Sequence, residues 1–277
     1  MSSLANSLAQ LHDLRVLGLG PMVLDLKMMT ILSSLPHLES LIFYDTYHSR
    51  KLEELLKSVN GPLLGSFSTL QHFGIKSSFN PERAARVWNI TLLPLQYLWL
   101  FGKDYPYVGS RWDGERFALA FPKMEHLRIC GYYFTFEDLK FIAMHMPRLG
   151  QLSARVQLNA GWPSKDELSS LVFIPSPSQL YFRLQLASSH TIQGVETVMD
   201  TGDRLLDEIE RLALALHALW PKGVICEPQR RLDEDGKPSY TSQINTALRA
   251  LYEVSGDNAM GVNPRPRKHV PRWFGWI

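Results

Sequence analysis

One arrangement of apolar residues returns along the first two-thirds of the chain, at positions i, i+3, i+6 and i+8. It appears as Leu11, Leu14, Leu17, Leu19, and then as Leu35, Leu38, Leu41, Phe43. The same frame gives Phe67, Leu70, Phe73, Ile75, then Leu92, Leu95, Leu98, Leu100, then Phe121, Met124, Leu127, Ile129. A sixth, looser copy is Met146, Leu149, Leu152, Ala154, and a seventh is read with Ser178 ahead of Tyr181, Leu184 and Leu186. First slots are 24, 32, 25, 29, 25 and 32 residues apart, a spacing that marks a stacked repeat. The last two slots of each copy, such as Leu17 and Leu19, alternate as on a short strand and point to one side. A single strand of this kind cannot bury that side, whereas stacked copies can.

Helix-start chemistry lies between the strands. Thr135 is an N-cap candidate with Asp138 at N3, and Phe134 is placed to staple onto Leu139. Ser164 with Glu167 forms a capping box leading into Leu168, Leu171 and Val172. Asn80 followed by Pro81 reads as N-cap then N1, and Lys51 to Val59 puts Leu52, Leu55, Leu56 and Val59 on one helical face. Strand, turn, helix and return form the unit.

With these residues in view, the chain resembles the leucine-rich repeats of the cysteine-containing type found in F-box proteins. The best copy, Phe121 to Leu152, is similar to that type's LxxLxLxxC strand, its I/F-T-x-x-x-L helix start and its C/M-P-x-L return. Cys130 occupies the cysteine slot, Thr135 and Leu139 the helix start, and Pro147 and Leu149 the return; Pro36 and Leu38 match the same return earlier. The resemblance covers residues 8 to 156 well and 157 to 200 poorly. Elsewhere the family's asparagine or cysteine slots hold Tyr44, Lys76 or Phe101 nearby, and the wandering period implies inserts. The resemblance implies an α/β leucine-rich-repeat solenoid, with parallel strands on a concave face and helices on a convex one. It also implies that the concave face holds a target protein while a separate F-box docks the cullin machinery. No LPxEI-like F-box segment precedes the first copy, so docking to the ligase adaptor is expected only through a segment outside this sequence.

The array is expected over residues 1–200, with six to seven irregular repeats. A helical carboxyl-terminal cap follows over 201–260, and a basic and aromatic tail over 261–277. In the cap, Asp203 to Leu219 carries Leu205, Leu206, Ile209, Leu212, Leu216 and Leu219 at helical spacing, Asp203 standing as its N-cap and Trp220-Pro221 as its end. Ser242 to Val254 is a second helix stopped by Gly256. The tail holds Arg265, Arg267, Lys268 and Arg272 without an acid, plus Trp273, Phe274 and Trp276, and reads as a mobile or folded-back end, a docking peptide or a basic localisation signal.

Leucine accounts for 43 of 277 residues, and with 45% hydrophobic and 20% charged residues the chain can bury a core. A net charge of +2 supplies none of the broad positive field that a phosphate backbone attracts, so no nucleic-acid partner is expected. The two cysteines, Cys130 and Cys226, have neither disulfide-framework nor zinc spacing, which fits a reducing compartment, cytoplasmic or nuclear. No membrane span or secretory signal is read: the apolar run Leu212 to Trp220 is too short, and Met1 to Leu14 lacks the basic-then-apolar layout.

Enzymatic motifs are missing as well. The sequence has no GxSxG, Walker, GxGxxG or HExxH pattern, and Asp200-Thr201-Gly202 is a single copy of a triplet that acid proteolysis needs twice. Neither catalysis nor a cofactor nor a metal is expected. What the array offers is a surface. Residues flanking the inward pair fall into three columns on the opposite side: Val16, Ser40, His72, Tyr97, His126, Gln151; then Gly18, Ile42, Gly74, Trp99, Arg128, Ser153; then Gly20, Tyr44, Lys76, Phe101, Cys130, Arg155. Tyr44, Lys76, Tyr97, Trp99, Phe101, His126, Arg128 and Arg155 make an aromatic and basic band of the types enriched at binding hot spots. The expected function is a protein-interaction module, with a free-standing repeat scaffold or inhibitor unrelated to ubiquitin as the alternative.

Overall fold

The computed structural model describes residues 2–20, 25–45, 67–77, 94–101, 114–157, 162–170, 174–187, 202–227 and 240–255. Several expectations lie outside them: the Lys51–Val59 helix, the Asn80-Pro81 cap, the Asp200-Thr201 part of the triplet, the Gly256 stop and the tail. In chain order the elements are α1 Ser2–Ala9, β1 Val16–Leu19, α2 Leu26–Ser33, β2 Ser40–Asp45, β3 His72–Ser77 and β4 Tyr97–Phe101. They continue with α3 Gly114–Ala120, β5 His126–Phe134, α4 Phe136–His145, β6 Gln151–Gln157, α5 Lys165–Ser170 and β7 Leu180–Ala187, and close with α6 Gly202–Leu219, β8 Val224–Cys226 and α7 Tyr240–Val254. The class is α/β. Among the described residues eight strands form one sheet in the order β1 to β8, each strand parallel to its predecessor.

The register follows the repeat frame. Third-slot residues align as Leu17, Leu41, Phe73, Leu98, Leu127, Leu152, Phe182 and Cys226 across all eight strands. They join Met29, Leu32, Phe117, Leu139, Ile142 and Leu216 from the helices in one core. First slots Leu35, Phe67, Phe121 and Met146 are buried; Leu11, in the opening copy, is 48% exposed. From β1 to β6 a shared carbonyl hands each strand to the next. Arg15 O accepts from the amides of both Glu39 and Ser40, Glu39 O from Gln71 and His72, Gln71 O from Gln96 and Tyr97, and Gln96 O from Glu125 and His126.

Both expected capping boxes form. Thr135 Oγ1 accepts from Asp138 N at 3.3 Å while Thr135 N donates to Asp138 Oδ2 at 2.8 Å, so two orphan amides at the start of α4 are satisfied. Ser164 N donates to Glu167 Oε2 at 2.7 Å and Glu167 N to Ser164 Oγ at 3.2 Å.

Three expectations need correction. The seventh copy exists, but two residues out of the assigned frame: Phe182 pairs with Leu152 and Leu184 with Ala154, and Ser176, 1% exposed, fills the first-slot place. Tyr181 therefore leaves the core side and stands beside Gln151. Second, residues 201–260 are not purely helical, because α6 leads into β8, which joins the sheet beside β7. Trp220-Pro221-Lys222-Gly223 repeats the lead-ins Leu35-Pro36-His37-Leu38, Phe121-Pro122-Lys123-Met124 and Met146-Pro147-Arg148-Leu149. In each, a buried residue precedes a proline that cannot continue a helix and pushes its neighbour toward an extended backbone. Gly223 has φ 124°, a conformation that favours glycine, and this fills the slot where other copies carry a bulky residue. Third, α6 begins at Gly202, which puts Asp203 inside the helix rather than at its N-cap.

The outer edge of β8 is capped at Cys226 by a side chain. Leu180 N donates to Gly223 O and Glu227 N to Phe182 O, so the amide and carbonyl of Cys226 face away from β7. Asn245 of α7 meets both: its Oδ1 accepts from Cys226 N and its Nδ2 donates to Cys226 O, each at 2.8 Å. Tyr252 fastens the same helix by donating its hydroxyl to Trp220 O at 2.9 Å.

Candidate functional site

On the side of the sheet turned away from the core, the register lays side chains in rows that cross the strands. The first row is Val16, Ser40, His72, Tyr97, His126, Gln151, Tyr181 and Ile225. Its middle is a continuous stack. The ring centres of His72 and Tyr97 lie 4.3 Å apart with the planes tilted by 46°, those of Tyr97 and His126 lie 4.4 Å apart with nearly parallel planes, and His126 Nδ1 hydrogen-bonds Gln151 Oε1 at 2.7 Å. Such contacts arise because in-register parallel strands hold like positions about 4.8 Å apart. Burial pushes the His72 pKa down, opposed by Glu39 and reinforced by the positive charge that His126 can carry.

The second row is Gly18, Ile42, Gly74, Trp99, Arg128, Ser153 and Arg183. Trp99 was expected as an exposed anchor, but it is 2% exposed. Gly74 supplies the reason: a Cβ there would lie 3.4 Å from Ile42 and 3.6 Å from Trp99 Cε3, so both side chains lean over the glycine. Arg128 covers the indole from its other neighbour, its guanidinium carbon 5.2 Å from the ring centre. Trp99 is thus a wall beneath Arg128 rather than a surface residue.

The third row is broken. Tyr44 is half-buried, and a Cβ on Gly18 would come within 3.0 Å of its ring. Lys76 pairs with Phe101, and Phe101 with Cys130, in backbone register. Arg155 does not pair with Cys130 as expected, because β5 is irregular between Arg128 and Tyr133, and Tyr133 takes the place beside Arg155. The Arg155 guanidinium carbon lies 5.9 Å from the Tyr133 ring centre. The expected band is therefore drawn together around Tyr97, His126, Arg128 and Arg155, with Trp99 beneath it.

The sheet extends this face past the residues singled out from sequence. Tyr181 and Arg183 belong to it, and Arg183 Nε pairs with Glu227 Oε2 at 2.6 Å. Burial, and then the Glu227 carboxylate, hold the Tyr181 phenol above its ordinary value. The signal for these residues was the Trp220-Pro221-Lys222-Gly223 lead-in, which identifies one more strand and with it the correct frame of β7.

No protein-family model matches this chain, and no curated protein matches it. Among the described residues no helix is long and apolar enough to cross a membrane, and no group of three or more His, Cys, Asp or Glu is placed to hold a metal ion.

Proposed function

We propose that the chain is a protein-interaction module. In this reading its sheet and helices form a leucine-rich-repeat solenoid of the cysteine-containing type, and the face opposite the core holds a target protein. It works in the cytoplasm or nucleus by binding alone, in the manner of the substrate-recognition half of an F-box ubiquitin-ligase subunit. The observation that carries the reading is the stacked row His72–Tyr97–His126 beside Arg128, a set of rings and charge on the side of the sheet that the core does not use. Aromatic rings fixed by their neighbours lose little entropy on contact, and together with arginine they dominate binding energy at interfaces.

The test is affinity purification of the endogenous protein through a carboxyl-terminal tag, alongside Tyr97→Ala and Arg128→Glu. Both substitutions should abolish capture of the target while the folded protein keeps its circular dichroism spectrum. Capture that survives both changes removes this face from the account. Co-purification of a cullin and its adaptor supports the ligase role; a target recovered without them makes the chain a free-standing scaffold or inhibitor.

A further inference from the structure

We draw no further inference here: the strongest candidate, the apolar surface patch at the β1 end of the sheet, where Leu11 is 48% and Val16 44% exposed, carries nothing, because nothing in the structure shows what covers it.

Discussion

Single residues show where packing leaves no latitude. Gly114 opens α3 against Asp138, and a Cβ there would collide with the Asp138 carboxylate. That carboxylate closes the capping box of α4, so Gly114→Ala must displace it or move α3. The expected cost is about 2 kcal/mol, a lost cap plus strain, read as a lower denaturant midpoint in urea. Thr135→Ala, which removes only the cap, should cost about 1 kcal/mol. Cys226 is buried at 1% exposure, and burial pushes its thiol up to about 12. In the native protein at pH 8 it should resist iodoacetamide and should label only in denaturant, as mass spectrometry of the modified peptide will show. The folded thiol keeps its proton while the unfolded one ionises near pH 8.5. Its contribution to stability is therefore complete below about pH 8.5 and is lost as pH rises towards 12. Trp99→Ala is expected to destabilise by about 3 to 5 kcal/mol, because the indole is a buried wall and not a free anchor. The sequence placed Trp99 on the correct face from period-two alternation. It could not show the burial, which depends on Gly74 opposite and Arg128 beside it.

Among the elements, the strands were the most legible, because a frame of four apolar slots fixes both their place and their inward side. The frame failed where its slots were filled atypically. Ser176 in a first slot drew the reading of β7 two residues off, and the irregularity between Arg128 and Tyr133 brought Tyr133 rather than Cys130 beside Arg155. Neither departure changes composition, so neither leaves a mark on hydrophobic period. Leu127→Asp tests the inward assignment directly: it places a carboxylate among third-slot residues and should cost about 4 kcal/mol or more, enough to abolish cooperative unfolding. The row His72–Tyr97–His126 carries a pH signature. Burial lowers the His72 pKa, so the unfolded chain binds its proton more readily than the folded one. The stability tied to this group is full above about pH 6.5 and is lost as pH falls through the lowered folded value. A wild-type protein should lose thermal stability below pH 6.5 more steeply than His72→Gln, and matching profiles would detach the titration from His72.

At the scale of the molecule, one sheet runs through the eight strands of the described residues, and the helical end expected after residue 200 contributes another strand to it. The candidate face was legible as far as β6 and extends onto β7, since Tyr181, Arg183 and Glu227 became assignable only with β8 in place. Asn245→Leu should strand the outward amide and carbonyl of Cys226, costing about 1 to 3 kcal/mol, and should promote association at the bared edge. Sedimentation velocity at increasing concentration will register that association; a variant that stays at its wild-type size would show that α7 shields the edge by bulk alone. The same carboxamide bears on how such a chain can grow. A copied strand–helix unit inserted ahead of Trp220 finds a neighbour to stack on at either side, whereas a unit appended after α7 begins against an edge whose Cys226 amide and carbonyl a side chain already holds. Longer descendants of this architecture should therefore carry their extra turns internally, with the Trp220-to-Tyr252 segment retained as the last.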